Sequence, residues 1–446
     1  MDQTQLHNTQ PRIVIVGGGF AGLTCAKNLA SCNANVILAD RNNYHLFQPL
    51  LYQVASAVLP SADIAVPIRQ VLRHQKNTTV VLDELTGVDL NRKEAVFNNA
   101  VISYDYLVLA GGATHSYFGH DEWACNAPGL KTLDDAFEIR RRVLLAYEAA
   151  EWEADDEARK AKLTFVVIGG GPTGVELAGA LKEIAAKTIP KDFRHIDTTT
   201  ARVLLLQGGG RLLEAMPEKL GLRAKKDLEQ MGVQVRLNSH VTDIQEGRVF
   251  IGDECIPAEN VIWAAGVKAA DVTAGMDCQI DRQGRIEVEP DLSIPGFPNV
   301  FVIGDLARAV NPKTGRLVPG LASAAMQMGR YAARQISAEL KDAQVSRPAF
   351  VYRDMGSMAT IGRNRAVAWM GAFQFGGFAA WAMWSLVHII PLIGFRNKIA
   401  VIFSWLWSYF SLSKNVRLIL GTPRVRVKKM IQGLDLKMDR TGKCEK

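Results

Sequence analysis

Residues 13–23, Ile13-Val14-Ile15-Val16-Gly17-Gly18-Gly19-Phe20-Ala21-Gly22-Leu23, decide how this chain folds. Four β-branched residues in succession suit a parallel strand buried on both faces, and the glycines after them stand at G-x-G-x-x-G spacing. Each glycine has its own steric task. Gly17 permits the tight turn, Gly19 lets a pyrophosphate approach the backbone, and Gly22 lets helix and strand pack closely. The phosphates then meet the unpaired N–H groups at a helix N-terminus. Val36-Ile37-Leu38-Ala39-Asp40 reads as a second strand ending in a carboxylate, at about the 20-residue separation expected of an acid that binds ribose hydroxyls. Together these features predict an adenine-dinucleotide site.

The pattern returns. Thr164-Phe165-Val166-Val167-Ile168-Gly169-Gly170-Gly171-Pro172-Thr173-Gly174-Val175-Glu176 repeats strand, glycine turn and helix, with Gly169, Gly171 and Gly174 in the three roles. Two copies suit one tightly held dinucleotide and one that exchanges, with a hydride passing between stacked rings. The second ribose strand, Arg202 to Gln207, ends in an amide where a carboxylate is expected. An acid there would bind the 2′-hydroxyl and repel a 2′-phosphate, whereas Gln207 binds the hydroxyl without excluding the phosphate. Arg211 stands near enough in sequence to reach that phosphate, so NADH is favoured and NADPH stays open.

The chain has 446 residues, beyond the roughly 250–300 at which single cores stop growing, so two or more domains are expected. Hydrophobic residues make up 48% and charged residues 22%, which fits a globular protein and excludes a disordered one. The net charge of +7 gathers near the C-terminus, in Arg396, Lys398, Lys414, Arg417, Arg424, Arg426, Lys428 and Lys429. These lie beside the most apolar part of the chain, which favours a membrane surface over nucleic acid. Six cysteines show neither C-x-x-C nor zinc-ligand spacing, so no metal site is expected. The polar residues 1–10 predict no secretory leader.

Between the two motifs, residues 43–53 (NYHLFQPLLYQ) have no clean period and are dense in aromatics and amides, as a segment bordering a ring system would be. Tyr106 to Leu109 runs into Gly111 and Gly112 as a strand end near a cofactor. Leu133 to about Ala161 reads as a solvated helix without a site. Asn260 to Gly266 is a strand entering glycine and returning to the first domain, and Asn299 to Asp305 is a buried strand exposing a Gly-Asp pair. Asp305 suits hydroxyls of a flavin nucleotide, or a plain helix cap.

In that order these residues resemble the two-dinucleotide-binding flavoprotein disulfide reductase superfamily. Within it the chain is similar to the type II NADH:quinone oxidoreductases, over residues 11–421. The resemblance implies non-covalent FAD held by Gly17, Gly19, Phe20, Ala21, Gly22, Asp40, Arg41, Ala110, Gly111, Gly304 and Asp305. It implies NADH or NADPH bound by Gly169, Gly171, Pro172, Thr173, Gly174, Glu176, Gln207 and Gly266, with quinone as acceptor. Glu176, Gln327 and Gln48 are its catalytic candidates, with Pro49 beside the flavin. Glu176 would orient the carboxamide or move a proton, although a glutamate in a first helical turn is also favoured by the helix dipole alone. Ser323 stands where the family's first glutamine of A-Q-x-x-x-Q is expected. The absence of C-x-x-C sends electrons directly to a small acceptor rather than to a disulfide.

Between Arg365 and Arg396 no charged residue occurs, yet Gly376, Gly377, His388, Pro391 and Gly394 interrupt the run before it reaches the roughly 20 residues of a span. Ile399 to Phe410 is shorter still. Tryptophan and tyrosine favour the interface, so two short helices lying in one leaflet are expected rather than a spanning hairpin.

The expected fold is α/β: two Rossmann-like domains, for FAD and NAD(P)H, followed by a C-terminal amphipathic membrane-anchoring segment. Residues 1–160 and 269–350 form the FAD domain, 161–268 the NAD(P)H domain, and 351–446 the membrane-association region. The expected protein is a homodimer bound to membrane lipid and quinone at the cytoplasmic face of the inner membrane. Two rivals are a soluble ferredoxin or rubredoxin reductase, which has no need of the aromatic tail, and an NAD(P)H-sensing flavoprotein, which would not turn over with quinone.

Overall fold

The computed structural model describes residues 10–271, 276–411 and 416–419. The expectations for residues 1–9, Lys414, Arg424, Arg426, Lys428, Lys429 and Cys444 fall outside them. Strand β1 (Arg12–Val16) passes through Gly17 into helix α1 (Phe20–Asn28), followed by β2 (Asn35–Asp40), β3 (Thr78–Leu82) and β4 (Tyr106–Leu109). Strand β1 runs parallel to both β2 and β4, with Val14 opposite Ile37 and Leu107. Ile13, Val14 and Ile15 are fully buried, as strands covered on both faces require. Each such side chain contributes roughly 1.5–3 kcal/mol.

Helix α2 (Leu133–Glu151) opens on a capping box in which Thr132 and Asp135 satisfy each other's backbone N–H groups. It ends sooner than expected. Asp155 accepts from the Ala158 N–H at 2.7 Å and starts a separate short helix, Asp156–Lys162, where the sequence had suggested one continuous helix.

The second unit contains β5 (Thr164–Ile168), α3 (Pro172–Glu183), β6 (Arg202–Leu206), β7 (Val233–Arg236) and β8 (Asn260–Trp263). Its four parallel strands stand in the order β7-β6-β5-β8. The chain then returns to the first sheet with β9 (Ser293–Ile294) and β10 (Phe297–Val302), completing the order β9-β10-β4-β1-β2-β3. Outgoing residues Ala113–His115 and returning residues Val267–Ala269 pair antiparallel where the chain passes between the two units. In each sheet the strand order reverses beside the glycine turn, which is where open α/β sheets bind ligands.

Helix α4 (Ala322–Glu339) follows, then an antiparallel sheet of β11 (Ser357–Gly362), β12 (Arg365–Met370) and β13 (Phe373–Gly376). The uncharged run from residue 365 therefore begins as a β-meander rather than as anchor helix. Beyond it lie α5 (Phe378–Ile389) and α6 (Phe395–Ser411), the two short helices expected. Exposed apolar side chains recur at Phe378, Leu386 and Val387 on α5 and at Ile390 just past its end, and at Phe395, Ile399, Phe403 and Leu406 along one stripe of α6. Trp384 and Val401 face inward and are buried. Among the described residues, no helix is long and apolar enough to cross a membrane.

Candidate functional site

The first glycine turn has the geometry its sequence demands. Gly17 adopts φ +101°, a Cβ on it would enter the Ala110 carbonyl, and one on Gly22 would strike the Gly17 carbonyl. A Cβ on Gly19 would meet nothing within 4 Å, leaving open the space a pyrophosphate needs. Asp40 at the end of β2 accepts from the Gly18 N–H at 2.5 Å and the Asn42 N–H at 2.6 Å. Burial pushes its carboxyl above the usual range despite those bonds and the charge of Arg41. Arg41 itself is exposed and pairs with Glu84 at 3.4 Å.

Around this turn, the Ala110 N–H donates to Val16 at 2.8 Å, so Ala110 and Gly111 border the fingerprint at the end of β4. Gly304, at φ +73°, lies near Ala21, and Asp305 lies against Gly320. The helix after this pair begins only at Ala322, and residues 304–306 form a single tight turn, so Asp305 caps no long helix. Residues 43–53, aperiodic in sequence, fold as a short strand and the buried helix Leu51–Ala55. Phe20 is held between His45 (5.1 Å) and Phe47 (5.7 Å), and Phe47 meets His388 at 6.4 Å.

The second fingerprint reproduces the first. Gly169 is at φ +112°, a Cβ on Gly174 would strike the Gly169 carbonyl, and Gly171 opens onto empty space. Pro172 and Thr173 begin α3 above it, and Gly266 lies against Phe118 and the Ser116 carbonyl. Gln207 fills the place of Asp40, accepting the Gly170 N–H at 2.7 Å. Its amide N–H donates in turn to Glu214 at 3.0 Å. Arg211, expected to await a phosphate, donates to the main-chain carbonyl of Glu214 at 2.7 Å.

Glu176 lines a cavity bounded by Tyr52, Gln53, Thr360, Trp384 and Trp405, between α3, the C-terminal sheet and the last helices. Burial pushes its carboxyl up to about 8, against the opposing pull of a long contact from the Thr360 N–H at 3.4 Å. Gln53 is buried, donating to the Tyr52 hydroxyl at 2.8 Å and accepting the Trp405 indole N–H at 2.7 Å. Among the described residues, the buried Trp384 indole N–H finds no acceptor. His388 stacks on Trp384 at 4.3 Å, and burial lowers its imidazole to about 4 although the Trp384 carbonyl at 2.7 Å works the other way.

The three catalytic candidates do not share this cavity. Gln48 is exposed and donates to the Lys131 carbonyl at 3.1 Å. Gln327 spends its amide on the backbone of Arg353, donating at 2.9 Å and accepting at 3.0 Å. Ser323 approaches the Tyr352 hydroxyl at 3.4 Å. Sequence reasoning missed Gln53, five residues beyond Gln48 in a segment it had singled out, and Thr360 and Glu214, whose local sequence carries no signal. Among the described residues no cluster suits a metal ion and the five cysteines are free.

Residues 11–329 match the family model described as pyridine nucleotide-disulphide oxidoreductase, and residues 355–411 match the NDH2 C-terminal domain. The chain is 44% identical to the type II NADH:quinone oxidoreductase Ndh of Mycobacterium tuberculosis, covering 90% of this chain and 88% of that protein. It is 30% identical to the type II NADH:quinone oxidoreductase of Haemophilus influenzae, covering 80% and 86%. The structure of NDH2 from Plasmodium falciparum in complex with NADH superposes with a TM-score of 0.82 over 92% of this chain and 100% of that one, at 19% identity, a likeness of fold. Twin glycine fingerprints, the cavity at Glu176 and these matches along nearly the whole chain place it in the type II NADH:quinone oxidoreductase family, within the pyridine nucleotide-disulphide oxidoreductases.

Proposed function

We propose that the chain works as a single-subunit NADH:quinone oxidoreductase. FAD would be held by the fingerprint at Gly17–Gly22 with Asp40 and Asp305, NAD(P)H by the one at Gly169–Gly174, and quinone beside Glu176. The observation that carries the reading is the pair of open cradles at Gly19 and Gly171. Each has a hydrogen-bonding side chain, Asp40 or Gln207, anchored on the neighbouring glycine N–H. Bound FAD would accept a hydride from NAD(P)H and pass two electrons to quinone.

The protein's own groups position and protonate. The first turns of the helices that begin at Phe20 and Pro172 would present N–H groups to the two pyrophosphates, the second from Thr173 and Gly174 because proline has none. Glu176, held near 8, keeps its proton at neutral pH and suits delivery of that proton to a reduced acceptor. The unpaired Trp384 N–H offers a donor to a quinone carbonyl, with Gln53 lining the same cavity and held by Trp405. In this reading residues 1–160 and 269–350 bind FAD, 161–268 bind NAD(P)H, and 351–446 hold the membrane with α5 and α6 in one leaflet. The exposed apolar side chains on α5 and α6 support that placement in one leaflet, and the cytoplasmic face of the inner membrane rests on the family resemblance. Gln48 and Gln327 stay as candidates near the flavin, and a homodimer rests on the family resemblance alone.

Anaerobic mixing tests the reading. NADH bleaches the flavin absorbance of the purified protein, and a water-soluble quinone restores it. Bleaching without recovery would remove quinone as acceptor, and a protein that stays colourless when flavin is supplied would remove the whole scheme.

A further inference from the structure

We propose that Glu214 selects NADH over NADPH, supplying from a neighbouring turn the carboxylate that the strand end lacks. The proposal rests on nucleotide binding at the second fingerprint. In the first unit, Asp40 binds the Gly18 N–H and presents a negative charge at the strand end. In the second, Gln207 makes the equivalent bond to the Gly170 N–H, and its other amide atom points away from the backbone to Glu214 at 3.0 Å. The amide thus relays the position outward by one hydrogen bond and a charge stands at its far end.

Glu214 also folds back over its own loop, since a Cβ on Gly209 would collide with its carboxylate. Residues 207–214 therefore form one compact loop with the carboxylate at the edge of the ribose position. Two further side chains border the same loop. Arg211 is tied by its guanidinium to the main-chain carbonyl of Glu214, and the His240 ring lies beside Gly208. A 2′-phosphate entering here meets the Glu214 charge, whereas a 2′-hydroxyl donates to it or to Gln207. Removing that one charge leaves the Arg211 guanidinium to attract the phosphate, so discrimination is by repulsion of the wrong nucleotide.

The test compares 5′-AMP with 2′,5′-ADP, which differ only in the 2′-phosphate, by calorimetric binding to the FAD-loaded full-length protein. The unaltered protein binds 5′-AMP the more tightly. Glu214→Gln improves 2′,5′-ADP by roughly tenfold while 5′-AMP changes by less than about threefold. The kcat/KM for NADPH rises in parallel, while that for NADH falls by up to about threefold as its 2′-hydroxyl loses one acceptor. Glu214→Arg carries the ratio further in the same direction. An unchanged ratio in both variants, or equal weakening of both nucleotides, would overturn the proposal. Because binding is read without turnover, failure of quinone reduction would leave this result standing.

Discussion

The two glycine fingerprints share a backbone, yet the helices that follow them are covered by different elements. Over α1 lies α4, brought so close that a Cβ on Gly329 would enter the Ala21 carbonyl. Over α3 lies the strand β11, and Gly179 lets the Ile361 carbonyl approach in the same way. The position matching Thr24 on α1 is Glu176 on α3. A helix covers α1 in the first unit, while the strand cover in the second brings main-chain N–H groups beside α3. The Thr360 N–H is one such group, facing the Glu176 carboxyl in the cavity. In the proposed scheme the same motif serves holding in one place and exchange and proton handling in the other.

The largest effect should come from filling the cradles. Gly19→Val places a side chain where nothing now stands and yields a folded but colourless protein. Gly171→Val should stay yellow while kcat/KM for NADH falls more than about 100-fold, in keeping with a blocked pyrophosphate site. Absorbance of the purified variants distinguishes them, and flavin loss from both alike would break the division of labour.

Next comes Glu176. Its neutral acid form prevails below about 8, so quinone reduction should decline as pH rises past that value, and Glu176→Gln should be slower by about 100-fold and lose that limb. The same shift sets a stability trend. The folded state holds this proton to a higher pH than the unfolded chain, so folding loses free energy between the ordinary glutamate value and about 8. Thermal melts should show Glu176→Gln relieved of that loss, and an identical slope in both proteins would count against the raised value.

A smaller effect is expected of Gly179→Ala, which sets a methyl group against the Ile361 carbonyl and should cost roughly 1–3 kcal/mol in denaturant unfolding. Flavin content should be unchanged, because the damaged contact belongs to the second unit. The least effect concerns His388, at the end of the ring series His45–Phe20–Phe47–His388 that ties the first fingerprint to α5. Its imidazole stays neutral in the fold down to about 4, so stability should drop as pH falls from the ordinary histidine value toward 4. In His388→Phe that acid loss should shrink, as followed by tryptophan fluorescence.

The sequence by itself determined both nucleotide folds. Glycine spacing fixes which backbone positions take positive φ or tolerate close approach, and β-branched runs fix which strands are buried on both sides, so Gly17, Gly22, Gly169 and Gly174 stand as read. The pairing of two short apolar helices at the C-terminus was legible from the spacing of proline and glycine. The meander at 357–376 was not, because a strand there is set by its pairing and by the face of α3 it covers, not by a period of its own. Tertiary structure alone decided the contacts of the site. Gln53 with Trp405, Glu176 with Thr360, and Gln207 with Glu214 join residues brought together by hydrogen-bond geometry, and one-dimensional periodicity carries no record of which donor will face which acceptor.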